Sequence, residues 1–330
     1  MCPLSSDRKS TLKDVLKTSF PAAIDLSSQT VAWLIEAIFI GHLNAAALAG
    51  VGFALQVIIL TFTVVLTFVV GASIIIVRYL GARDTWNANH VLAQALILGT
   101  IFSFFIAFLW YFGGTQIFHI IKEDEPMARL YSINYLKTIS LFGPLIIVNF
   151  IALGIMRMAG DTLLTMKVSL FANTIHLTLD PILIFGLFGF PRLEAQGAAI
   201  AVGTAHSLAF FLTFYYLRSR KSVLFLSFRE YTTPNFQTFK RLFKLGFPTT
   251  VEQLVWALGQ LVLSFYAARM SIVILAAHQV FVRIQSVLTM AYQGFGMASM
   301  MLVGKNIGAE EEHQALHTGK IAGRVAFFSS

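Results

Sequence analysis

Long apolar runs separated by short polar breaks organise this chain. The runs at 18–41, 46–79, 88–112, 129–156, 164–189, 196–217, 246–268 and 273–303 each offer about 20 or more residues, enough for an α-helix to cross a bilayer, and a further run opens near 315. The 46–79 run is too long for one perpendicular crossing and predicts a helix that tilts or projects. Gly81, Gly113, Gly114, Pro126, Gly160 and Pro191 punctuate the breaks. One break differs from the rest. Residues 218–244 form a polar, basic linker carrying Arg218, Arg220, Lys221, Arg229, Lys240, Arg241 and Lys244. The pattern predicts an all-α polytopic membrane protein.

The pattern also repeats. Phe20 and Pro21 recur as Phe247 and Pro248, Leu48 and Ala49 as Leu275 and Ala276, and Arg78 as Lys305, at a constant offset of 227 residues. Gly81 recurs as Gly308, Asp84 as Glu311, His90 as His317, and Asp25 recurs as Glu252. Two copies of one helical bundle are an architecture of secondary transporters. The repeat divides the chain into a six-helix lobe at 1–217, the linker at 218–244, and the start of a second lobe at 245–330. A complete second copy would bring the total to roughly 450 residues.

Composition agrees with this class. Hydrophobic residues make up 57% and charged residues 12% of the 330 positions, against about 25% charged in a soluble domain. The single cysteine, Cys2, excludes a disulfide framework or a cysteine metal cluster. A net charge of +8 would suit nucleic acid if it were clustered on one face. Instead, with the N-terminus placed in the cytosol, Arg8, Lys9, Lys13, Lys17, Arg83, Lys167, the linker residues and Lys320 all fall on the cytosolic side, while only Lys122, Arg129, Arg192 and Arg269 fall outside. This is an orientation signal. It predicts a multi-pass plasma (inner) membrane protein with a cytosolic N-terminus, in contact with the lipid bilayer and not with nucleic acid.

Ionisable groups inside apolar spans carry the functional argument, because a charge at mid-membrane costs about 2.5–3.5 kcal/mol on insertion scales. Asp25 and Glu252 lie only about 10 Å from the cytosolic starts of their helices, at a rise of about 1.5 Å per residue. There the helix dipole and water both favour an acid, and partly hydrated side chains are expected. Glu36 and Asp180 lie deeper, roughly 25 Å along their helices. Asn173, His176 and Asp180 are spaced i, i+3, i+7 and form one polar stripe on an apolar helix. Pro181 removes a backbone donor beside Asp180, and Pro21 marks a bending point in the first helix. Two carboxylates with an amide and an imidazole would suit a proton or sodium site. Gln29 and Trp33 share the Glu36 face and are the expected cavity-lining residues. At the end of the fourth helix, Arg157 and Asp161 stand four apart and are expected to pair.

These residues resemble the multidrug and toxic compound extrusion (MATE) transporters. Phe20-Pro21 followed by Glu36 in IEAIFIGHL is similar to the family's first helix, and GIMRMAGDT at 154–162, LDPILIFG at 179–186, GAAIAVGTA at 197–205 and AAHQVFVRIQ at 276–285 are similar to further signatures. The turns LGARD and IGAEE join them, so the resemblance covers nearly the whole chain and is nearest the DNA-damage-inducible prokaryotic branch. It implies two parallel-related six-helix bundles, with about 8–9 of 12 helices present here. It also implies a monomeric antiporter that exports drugs, organic cations or metabolites by alternating access, in exchange for H⁺ or Na⁺ and without an organic cofactor. The family's acids fall on Glu36 and Asp180, where a Na⁺ would be held with Asn173. That branch has Asn where this chain has His176, which removes an amide ligand and points toward the proton.

Two other functions are weighed against export. A flippase for lipid-linked oligosaccharide or a related lipid precursor would call for a basic cavity, whereas the first-lobe spans carry acids and Lys137 as their deeply placed base. An intramembrane enzyme could use the His176-x3-Asp180 spacing, yet the chain has no Walker A loop, GxSxG or HExxH. The chain is expected not to be an enzyme.

Overall fold

The apolar runs fold as α-helices because a backbone crossing hydrocarbon must satisfy its own hydrogen bonds. In the computed structural model, which describes residues 4–118, 126–227, 234–270 and 272–329, the helices are α1 (Leu4–Gly41), α2 (Ala45–Gly81), α3 (Thr85–Phe118), α4 (Pro126–Ala159), α5 (Thr162–Phe185), α6 (Glu194–Arg218), α7 (Phe236–Met270), α8 (Ile272–Gly308) and α9 (Glu312–Ser329). No strand occurs among the described residues. Helices α1 to α6 each contain a segment long and apolar enough to cross a membrane. Lys122 and Arg229 lie outside the described residues.

Three boundaries differ from the apolar pattern. Helix α1 begins at Leu4, far ahead of the apolar run, and α7 begins at Phe236, inside the expected linker. The apolar run reports where lipid begins, while Lys, Arg and Gln continue a helix readily into water. The run at 164–189 is split instead. Gly186 takes a left-handed conformation (φ 74°) that caps α5, and a 3₁₀ turn at Leu187–Gly189 leads toward α6.

Helix α4 is the centre of the first lobe. It packs against α2, α3 and α6, and its residues from Ile146 to Ala159 are almost all buried. The largest fully buried side chains, among them Leu92, Leu96, Tyr135, Leu136, Ile147, Ile151, Ile155 and Met156, line α3 and α4. Helix α5 lies between α6 and α1, and α1 in turn packs on α8 of the second lobe.

The repeat seen in the sequence is reproduced bond by bond. The α2–α3 turn is closed by Ala82 N to Arg78 O, Arg83 N to Leu80 O and Asp84 N to Tyr79 O. The α8–α9 turn is closed by Ala309 N to Lys305 O, Glu310 N to Ile307 O and Glu311 N to Asn306 O. Both copies place a non-glycine residue in the left-handed region at the same position, Arg83 at φ 59° and Glu310 at φ 62°. The two turns also meet. A Cβ on Gly81 would stand 2.0 Å from Lys305 O, and one on Gly308 would stand 2.0 Å from Arg78 O. The seam continues where the Thr67 and Thr250 hydroxyls hydrogen-bond, where Gly246 meets Thr67 O, and where Gly294 meets Ala23. These contacts involve the middle of α1, the N-terminal half of α7 and the C-terminal halves of α2 and α8, so they lie toward one membrane face.

Candidate functional site

Glu36, His176 and Asp180 come together between α1 and α5, and all three are buried, at 1%, 2% and 0% exposure. His176 Nε2 stands 3.2 Å from Asp180 Oδ2 and 3.7 Å from Glu36 Oε2, so one imidazole nitrogen faces two carboxylates from two helices. Neither approach is aligned as a hydrogen bond, and both Asp180 oxygens are buried without a hydrogen-bond partner among the described residues. Tyr135 on α4 donates its hydroxyl to Glu36 Oε1 at 3.1 Å. Helix α5 positions its two members because residues four apart share a face. A buried carboxylate lacking donors is costly as an anion. The arrangement therefore suits uptake of a proton or another cation.

Asn173 is on the same helix but turns elsewhere, donating Nδ2 to Ser28 Oγ at 3.0 Å. The nearest ligand to Asp180 is thus a ring nitrogen. Among the described residues no group of His, Cys, Asp and Glu has the geometry of a metal site.

Asp25 departs from the hydrated acid expected near a helix start. It is fully buried and ion-paired to Arg157 of α4, with Nη2 at 2.7 Å and Nε at 2.9 Å from Oδ2. Gln29 Nε2 approaches Oδ1 at 3.3 Å, so Gln29 faces Asp25 and not Glu36. The expected Arg157–Asp161 pair does not form. Asp161 instead accepts from the Ser222 hydroxyl and from Val223 N at 2.8 Å, holding the linker. Four-residue spacing within α4 lost to cross-helix contact because Asp161 falls after the last helical residue, where its direction differs. Glu252, the repeat of Asp25, is exposed. Trp33 is 48% exposed. Pro21 and Pro181 both lie within continuous helices.

Two residues of this neighbourhood escaped sequence reasoning. Tyr135 carried no signal, being one aromatic among many on an apolar helix. His206 on α6 lies within electrostatic reach of His176, and a histidine in an apolar span was the signal that would have found it.

A repeated bundle of membrane-crossing helices with buried acids facing one another defines a polytopic membrane transporter. The MatE family profile matches residues 21–182 and 248–330, and the chain belongs to that family. It is therefore a transporter and not an enzyme. Similar proteins include "Probable multidrug resistance protein NorM" of Bacillus anthracis, 27% identical over 94% of this chain and 68% of the relative. The protein of the same name from Thermotoga maritima is 27% identical over 91% of this chain and 64% of its own length. A "FAD transporter" of Shewanella oneidensis is 26% identical over 91% and 66%. Among solved structures, one described as the outward-facing conformation of a multidrug resistance MATE family transporter of the MOP superfamily superposes with a TM-score of 0.87, at 24% identity, over 97% of this chain and 70% of that one. A MOP superfamily transporter from Pyrococcus furiosus gives 0.88 at 23% identity, over 97% and 70%. These likenesses establish the fold.

Proposed function

We propose that this chain forms most of a proton-coupled antiporter that exports small amphiphilic drugs or metabolites by alternating access. The observation that carries the reading is the buried Glu36–His176–Asp180 cluster, in which one imidazole nitrogen faces two carboxylates from two helices. Relatives named as multidrug resistance proteins support the substrate class. The N-terminus lies in the cytosol, following the distribution of basic residues, and the seam between lobes then seals the cytosolic side. Proton uptake by Glu36 or Asp180 neutralises a buried charge and relaxes the tie of α1 to α4 and α5. Helix α1 then bends at Pro21, where a backbone hydrogen bond is already missing, and substrate is released outward. The transporter works as a monomer, with 1–217 and the lobe that opens with α7 moving about the segment that joins α6 to α7.

His176 makes the proton the coupling ion. An imidazolium between two carboxylates supplies the positive charge that Na⁺ would otherwise bring. The test follows uptake of a fluorescent lipophilic cation into inverted vesicles, with the Na⁺ gradient applied at equal pH on both sides. An imposed pH gradient drives uptake in the parent protein, and a Na⁺ gradient alone does not. His176→Asn gains a Na⁺ response. Equal Na⁺-driven uptake by both proteins would refute proton coupling through His176.

A further inference from the structure

We infer that Asp25 and Arg157 form a latch that holds the seam between the lobes closed, so that helix α1 is the shared element of ion binding and lobe closure. This goes beyond the choice of coupling ion and does not depend on it. Helix α1 is the layer between the body of the first lobe and α8 of the second. Beyond Pro21 it is fixed to the first lobe at two heights. At the outer height, Glu36 meets Tyr135 of α4 and His176 of α5. At the inner height, Asp25 is clamped by Arg157, a pair of 0% and 7% exposure.

The inner tie sits against the seam on both of its helices. Two residues before Asp25, Ala23 packs against Gly294 of α8 so closely that a Cβ on Gly294 would stand 2.8 Å from Ala23 N. Three residues after Arg157, Gly160 faces Met301 and Lys305 of the second lobe. Arg157 is thus anchored where α4 touches the second lobe, and Asp25 where α1 does. A polar chain links the two heights. Ser28 Oγ donates to Asp25 O at 2.8 Å and accepts from Asn173, one turn before His176 on α5.

Asp25 is accordingly a positioning residue. Its carboxylate fixes the turn carrying Ala23 in its place beside α8, and losing the pair frees that turn. A buried pair with one partner removed leaves an uncompensated charge, which is a strong drive to rearrange. Hydration of the orphaned group through an opened seam satisfies it.

Thr250 reports on the seam, since it is buried at 4% exposure against Thr67 of the other lobe. In a Cys2→Ser background, Thr250→Cys supplies one nearly isosteric thiol for labelling by a membrane-impermeant maleimide, applied to each vesicle face separately. The parent labels slowly from the face bearing the seam. Asp25→Asn and Arg157→Gln raise the rate about tenfold, as expected when a closed state loses a dominant tie. The charge exchange Asp25→Arg with Arg157→Asp returns it toward the parent value. Folded single variants that label at the parental rate would overturn the latch, as would a charge exchange that labels as fast as the single variants. Should the single variants fail to reach the membrane, Asp25→Glu keeps the charge on a longer arm. It is expected to label between the two extremes, and parental labelling there would equally overturn the proposal.

Discussion

The two repeats share a backbone and differ in their chemistry. Their turns close with the same hydrogen bonds and the same left-handed residue. At the position of Glu36, however, the second repeat carries Leu263, and at the position of Gln29 it carries Trp256. Asp25 is buried and paired with Arg157, whereas its counterpart Glu252 is exposed and makes no ion pair among the described residues. The difference teaches that the repeat preserves what the lobes need to meet each other. The ionisable machinery is free to sit in one copy, because a buried charge is costly and need be supported only once.

This comparison breaks most visibly at the acids. Asp180→Asn is expected to abolish proton-driven export of a lipophilic cation in an efflux-deficient host, with the protein confirmed at the membrane. Leu263→Gln in the second repeat is expected to leave most of it. Next in size is the ion pair. Arg157→Gln is expected to cost about 3–5 kcal/mol by leaving Asp25 buried and unpaired, read as a lowered thermal midpoint in detergent. Glu252→Gln should fall within about 0.5 kcal/mol of the parent, as exposed substitutions do.

Glycines sharpen the comparison further. Gly308→Ala would force a methyl group onto Arg78 O at the seam and is expected to destabilise the closed lobes by about 1–3 kcal/mol, as overpacking does. Gly259, in α7, has nothing within 4 Å of a built Cβ. Gly259→Ala should therefore be neutral or stabilise by up to about 1 kcal/mol through helix propensity. The smallest effect concerns the turns. The Asn87 side chain and backbone N–H hold the Asp84 carboxyl below its ordinary value of 3.8. A depressed carboxylate contributes stability that is present above its ordinary value and lost as pH falls through the folded one. Asp84→Asn should therefore change the thermal midpoint little at neutral pH and remove a small decline below about pH 4.

Much of this was readable from the chain. Apolar runs gave the helices, since lipid admits little else, and the offset of 227 residues gave the repeated turns. The i, i+3, i+7 stripe on α5 put His176 and Asp180 on one face before any packing was known. The same spacing rule failed at Arg157 and Asp161, where the helix ends at Ala159 and each side chain found a partner on another element. It also failed to separate Gln29, which turns to Asp25, from the residues around Glu36.

The sequence by itself determined the class, the helices, the repeat and the shared face of His176 and Asp180, because hydrophobic patterning and helical periodicity are local properties. The tertiary structure alone decided which charges meet. Whether Asp25 is hydrated or clamped by Arg157, whether Asn173 serves Asp180 or Ser28, and that Tyr135 reaches Glu36 all depend on contacts between residues roughly a hundred or more positions apart. Such partners are set by how helices cross and rotate against one another, and no periodicity within one helix encodes that.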